Sequence, residues 1–175
     1  MVIDSSIRDN RNRGSVADFL LENLKANSKV NIVSAYFTIY AYETLKNSLD
    51  GIEKLNFLFG EPKFVKALDP SKTDKKTFKI EDDGITLSNR MRQSQVAKEC
   101  AEWIQKKVDI RSIKQTNLMH GKLYHIENNG VEVGLMGSSN FTQRGLGVAT
   151  SSNIELNMVV DSDRDRKDLK NWFFE

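Results

Sequence analysis

Two short runs rich in β-branched and aromatic residues, Lys29–Thr38 (KVNIVSAYFT) and Lys54–Gly60 (KLNFLFG), flank a segment of helical periodicity, Ala41–Leu49. This alternation constrains the fold more than any other feature. Runs of that composition read as buried strands, and a helix must lie between them. A further helix precedes the first strand: Ser15 can cap it, with Asp18 three places on, and Val16, Phe19, Leu20 and Leu24 form its apolar stripe. Gln93–Lys107 is a third helix, with Val96, Cys100, Trp103 and Ile104 on one face, which assigns Cys100 to the core rather than to chemistry. Four short strands follow, over Val108–Ile113, Met119–Ile126, Val131–Met136 and Ile154–Val160, before a last helix that begins near Ser162. Helices and strands alternate early and strands cluster late. The expected fold is α/β, a mixed β-sheet flanked by helices on both faces.

The chain has 175 residues, enough for one core and not for two. Residues 1–14 read as a polar segment, extended or mobile, and 15–175 as the domain. With 39% hydrophobic and 29% charged residues, the composition is globular and excludes a disordered chain. No apolar run approaches the ~20 residues that span a bilayer, and the opening residues lack the apolar centre of an export signal. A single cysteine excludes an intrachain disulfide and fits a reducing, cytoplasmic compartment. The net charge is only +2, so its distribution carries the information. Arg8, Arg11 and Arg13 crowd the start, and Lys63, Lys66, Lys72, Lys75, Lys76 and Lys79 crowd 61–79. Solvated loops and a phosphate-attracting rim both fit these clusters. Within 61–92, Asp83-Gly84 suggests a hairpin turn. The apolar stripe Leu169, Trp172 and Phe173 runs up to Glu175. It points to an N-terminal fragment of a longer protein, or to a docking face.

The residues able to do chemistry lie between His120 and Glu155, in HGKLYH, GSSN and NIE. Alternation along a strand places His120, Lys122 and Tyr124 on one face, the first two about 7 Å apart. That separation suits one phosphate, with the imidazole at phosphorus and the ammonium at a non-bridging oxygen. His125 falls on the opposite face and reads as a surface or edge histidine. Gly137 permits a tight turn, after which Ser138, Ser139 and Asn140 can donate to an anion. A carboxylate at Glu155 can fix the tautomer of an imidazole and leave its other nitrogen free to attack. Each feature alone is ordinary; their order and spacing together are not.

His120-Gly121-Lys122, followed by Gly137-Ser138-Ser139-Asn140 and Glu155, resembles the HxK…GSxN signature of the phospholipase D superfamily. The stretch GSSNFTQRGLG…NIEL is similar to its nuclease branch, and the chain resembles the N-terminal phospholipase-D-like domains of bacterial restriction-type helicases. The resemblance spans nearly the whole chain as one half-unit. Glu127 stands where the family has an aspartate of structural role. The resemblance implies phosphoryl transfer in two steps through a phosphohistidine. Its catalytic residues would be His120, Lys122, Asn140 and Glu155, and its phosphate ligands Lys122, Ser138, Ser139 and Asn140, with no metal and no cofactor. It implies a nucleic-acid substrate, DNA before RNA, and helicase-type domains linked to this one. The family mechanism uses two histidine–lysine sets and this chain has one, which implies a homodimer with the site on its two-fold axis.

No G-x-x-x-x-G-K-[ST] is present, so this segment does not hydrolyse ATP itself. Asp161–Asp165 begins like a calcium loop, but Arg166 takes the glycine position and Trp172 the closing glutamate position. Neither a CxxC pair nor an HExxH is present. A non-catalytic nucleic-acid-binding or dimerisation module is the alternative function. A lipid phosphodiesterase ranks last, for want of an amphipathic Trp/Lys-rich helix.

Overall fold

A computed structural model describes residues 5–60, 87–113 and 119–175. The elements are β1 (Ile7–Arg8), α1 (Val16–Asn23), β2 (Lys29–Ser34), α2 (Ile39–Leu49), β3 (Lys54–Phe59), α3 (Leu87–Lys107), β4 (Val108–Ser112), β5 (Lys122–Asn128), β6 (Val131–Gly137), α4 (Gln143–Leu146), β7 (Asn157–Val160) and α5 (Asp163–Phe174). They build one seven-stranded sheet in the order β1-β7-β6-β5-β2-β3-β4. The early alternation becomes the parallel set β2-β3-β4. The late cluster becomes the antiparallel set β5-β6-β7, joined to β2 through β5. The expected mixed α/β sheet is thus observed.

Local chemistry sets the helix starts. Ser15 Oγ accepts from the Asp18 amide at 3.0 Å, and Asp18 Oδ2 accepts from the Ser15 amide at 2.8 Å, a reciprocal capping box worth about 1 kcal/mol. Thr38 and Ser162 cap α2 and α5 by the one-way bond alone, their side chains accepting from the Ala41 and Asp165 amides. Asn129 and Gly130, both at positive φ, close the β5–β6 hairpin as Asn-Gly pairs do.

Residues of β2, β3, β5 and β6 alternate between two faces. On one, Val30, Ile32, Leu55, Phe57, Tyr124, Ile126 and Leu135 meet the buried sides of α1, α2 and α3 in the main core, which includes Cys100 and Trp103. Burial pushes the Cys100 thiol up to about 12, which makes it inert at neutral pH. On the other face Val33 and Leu123 meet Phe173, with Leu169 packed alongside. Helices therefore cover both faces.

The second face corrects the reading of His125. It is wholly buried rather than at the surface or an edge. Asn56 Nδ2 donates to Asn31 Oδ1 at 2.8 Å, which turns Asn31 Nδ2 toward His125 Nδ1 at 3.2 Å. Among the described residues His125 Nε2 has no hydrogen-bond partner, and it stands 3.8 Å from Glu132. Lys170 of α5 bridges Glu127 and Glu132 at 2.5 and 2.8 Å. So Glu127 ties α5 to the sheet.

These groups give stability a pH dependence. Burial lowers the pKa of His125, opposed first by Glu132. The unfolded chain therefore takes up the proton first, near the ordinary value of about 6.5. The contribution of neutral His125 is complete above that pH and is lost as pH falls through the lower folded value. Glu127, held below the usual carboxylate range by Lys170, adds a loss confined to pH below about 4.5. Melting temperature should drop between pH 7 and pH 5, and His125→Gln should flatten that drop. An unchanged slope in His125→Gln would show that another group titrates there.

Three strand ends differ from expectation by three residues or more. β2 stops at Ser34, not Thr38, because the Ser34 hydroxyl donates to the Tyr36 carbonyl at 2.8 Å and the Thr38 amide donates to Phe141 O at 3.1 Å. β5 starts at Lys122, not Met119, because the Met119 amide bonds to Gly60 O at 3.1 Å. β7 starts at Asn157, not Ile154, because the Glu155 amide bonds to Asp9 O at 3.3 Å. The third helix also begins six residues before the expected Gln93, at Leu87. Of the hairpin suggested over 77–88, Leu87 and Ser88 lie in α3, and the Asp83-Gly84 turn, like Lys63–Lys79, lies outside the described residues.

Candidate active site

Sheet register gathers the candidate residues at one end. Val33 opposes Leu123, Lys122 opposes Gly137, and Gly137 opposes Asn157. The end of β2, the start of β5, the end of β6 and the start of β7 thus share one edge, and β3 ends beside β2. His120–Lys122, Gly137–Asn140 and Glu155–Asn157 meet there, outside the carboxyl ends of the parallel strands, where open α/β sheets bind ligands.

His120 precedes the ladder and is exposed, and its ring makes no hydrogen bond among the described residues. Lys122 is buried, and its ammonium donates to the His120 carbonyl at 2.6 Å. Burial lowers the pKa of Lys122, and the Glu155 carboxylate opposes the shift. A desolvated ammonium of this kind attracts an approaching anion more strongly than one in water.

Asn140 Oδ1 accepts from the Ala35 amide at 3.1 Å, and the Ser34 hydroxyl, whose proton goes to the Tyr36 carbonyl, lies at the same distance. A backbone N–H can only donate, so the carboxamide oxygen faces inward. Its Nδ2, with no partner among the described residues, is left to donate outward. Glu155 is held by its neighbours: Ser138 Oγ donates to Oε2, and Asn153 Nδ2 donates to Oε1 at 3.0 Å. Glu155 and His120 are not joined. Ser138 is exposed, while Ser139 is wholly buried with its hydroxyl accepting from Asn157 Nδ2 at 2.9 Å. Ser139 therefore holds the turn from within.

Several supports were not apparent from the residue pattern. Asn157, buried, spans the turn: Oδ1 accepts from the Ser139 amide at 3.2 Å, and Nδ2 donates to Arg8 O at 3.0 Å. Tyr124, placed on the same face as Lys122, donates its phenol to Ser139 O at 2.8 Å. Burial, followed by the Glu155 charge, raises its pKa and keeps it a donor. A Cβ on Gly145 would lie 2.3 Å from Asn140 O, so only glycine lets α4 close against that residue. Asn10 Nδ2 donates to Gly145 O at 2.9 Å, and the β1–β7 pairing ties the opening segment to the site. Of the arginines there, Arg13 pairs with Asp9 and Arg8 donates to the carbonyls of Ser5 and Ile7.

Two surface grooves lie elsewhere. One, of about 410 Å³, is lined by Met136, Met158, Leu169 and Trp172, and the other, of about 310 Å³, lies between α2 and α3. Neither contains a cradle residue. Among the described residues, no three of His, Cys, Asp and Glu converge as metal ligands, and no helix is long and apolar enough to cross a membrane.

An imidazole, an ammonium and a carboxamide thus lie at one end of a mixed α/β sheet, and the class of protein, a phosphodiesterase-type superfamily, follows from a family match. The family described as "Cardiolipin synthase, PLD-like domain" matches residues 20–175, and the chain belongs to that phospholipase-D-like family. No curated protein matches the chain.

Proposed function

We propose that this chain is a metal-independent phosphodiesterase that hydrolyses nucleic-acid phosphodiester bonds, DNA before RNA, as the nuclease domain of a larger helicase or restriction-type protein. One observation carries the reading. The His120 ring and the Asn140 Nδ2 donor stand unengaged among the described residues, at the sheet end where the buried Lys122 ammonium meets the His120 carbonyl. The nuclease-branch likeness of GSSNFTQRGLG…NIEL and the basic segments at 8–13 and 61–79 support a nucleic-acid substrate.

In the first step a ring nitrogen of neutral His120 attacks phosphorus. A P–N bond forms, the bond to the leaving oxygen breaks, and a protonated second histidine gives that oxygen its proton. In the second step water attacks phosphorus and gives a proton to the same histidine, and the P–N bond breaks. Lys122 and Asn140 hold the non-bridging oxygens, where negative charge grows in the transition state. Glu155 has lone pairs to spare after its bonds to Ser138 and Asn153, and it orients His120 when substrate is present. His125 lies buried on the other face of the sheet, so the second histidine is His120 of a second copy, across a two-fold axis.

The test is cleavage of a labelled oligonucleotide in excess EDTA, with acid-labile, base-stable label trapped on the chain. Undiminished cleavage and label on His120 are the expected results; loss of cleavage in EDTA contradicts the metal-independent step. The matched family's description names cardiolipin, and this favours a phospholipid phosphodiester as the second reading. Turnover of anionic phospholipid vesicles, with oligonucleotide left intact, would select it. Salt-sensitive oligonucleotide binding without cleavage would select the non-catalytic module.

A further inference from the structure

We infer that Tyr36 is a stacking platform for a nucleobase next to the reacting phosphate, so that the strand must be single or splayed open where it is cut; this rests on the nucleic-acid reading above. Tyr36 is 59% exposed, yet its backbone is fixed on both sides to the loop that carries Asn140. The preceding Ala35 amide donates to Asn140 Oδ1 at 3.1 Å, and the Tyr36 carbonyl accepts from Ser34 Oγ at 2.8 Å. The following Phe37 ring stacks on Phe141 with centroids 5.3 Å apart, and the Thr38 amide donates to Phe141 O at 3.1 Å. The ring is therefore carried on a rigid base beside the donor proposed to hold a phosphate oxygen.

Tyr124 shows what a tyrosine does in this fold when its part is structural: it is wholly buried and its phenol is bonded. Tyr36 is neither, and its phenol has no partner among the described residues. An aromatic face held open beside an anion cradle matches the two features repeated along a nucleic-acid strand, a phosphate and a flat base. Within a duplex the base faces are already stacked, so the platform can serve only an unstacked base.

The experiment uses the full chain carrying His120→Ala, so that substrate persists, and compares two labelled oligonucleotides of equal length at fixed salt. One is oligothymidine, and the other carries base-free sugar sites with the same phosphates. Adding Tyr36→Ala should weaken oligothymidine binding about tenfold and leave the base-free strand unchanged. Tyr36→Phe should bind both as its parent does, since the ring and not the hydroxyl is needed. Equal weakening on both strands overturns the inference, because Tyr36 then only shapes the phosphate cradle. Weakened binding to anionic phospholipid vesicles, with oligonucleotide binding intact, also overturns it. Base-dependent binding by a chain that shows no hydrolysis with His120 restored supports the platform and removes only the phosphodiesterase reading. No oligonucleotide binding by any variant overturns both.

Discussion

Replacing His120 by alanine should abolish phosphodiester hydrolysis and leave the melting temperature unchanged. The ring is exposed and unbonded among the described residues, so the folded state loses no contact with it. The proposed reaction loses its nucleophile, and such removals lower turnover by roughly 10⁴-fold or more. Lys122→Ala should behave differently. Its buried stem and its bond to the His120 carbonyl mean that stability falls together with turnover. Initial rates in EDTA alongside thermal melts of both variants check this pair. A His120→Ala protein within about tenfold of the parent rate would show that the imidazole does not attack phosphorus.

Gly137→Ala has the second large effect. A Cβ there would lie 2.3 Å from Leu156 O and 2.6 Å from the Asn157 Cα, both backbone positions that cannot swing aside. The ends of β6 and β7 must part to admit it. Parting them strains the bond from the Ser138 amide to Leu156 O, the Ser138–Glu155 bond and the Asn157–Ser139 bridge. The expected loss is about 3 kcal/mol of stability, with turnover falling because Glu155 and Asn140 lose their common frame. Gly121→Ala is the contrasting change. Among the described residues no atom stands within 4 Å of the added Cβ, so stability should shift by less than about 0.5 kcal/mol. Equal denaturation midpoints for the two variants would contradict the close-approach argument.

The elements were legible where local chemistry decides them. Ser15 and Asp18 announce α1 by a cap that closes within four residues, and the spacing of Val96, Cys100 and Trp103 places α3 on the core. Asn129-Gly130 carries an equally local hairpin signal between β5 and β6. The ends of β2, β5 and β7 were not legible. They are set by bonds between segments far apart in the chain, Thr38 to Phe141, Met119 to Gly60 and Glu155 to Asp9, and period-two alternation carries no trace of these. Alternation put His125 correctly opposite Tyr124. It could not show that α5, some forty residues later, covers that face.

The same division runs through the site. The types and order of His120, Lys122, Asn140 and Glu155 could be picked out because the proposed chemistry needs those groups. Asn157, which holds the turn beneath them, follows no spacing rule, and alternation set Tyr124 on the face of Lys122 without revealing its bond to Ser139 O. Ser138 and Ser139 are adjacent and look equivalent in sequence, but one is exposed and the other wholly buried.

The central claim is that one copy of this chain holds half a catalytic site. Titrating wild-type chains with His120→Ala chains, under conditions where subunits exchange, tests it directly. If both histidines of a two-fold pair are required, activity follows the square of the wild-type fraction, and an equal mixture retains about a quarter of the activity of all-wild-type protein at the same total concentration. Half the activity in that mixture, with a linear dependence on the wild-type fraction, would mean that each chain acts alone and would contradict the shared site.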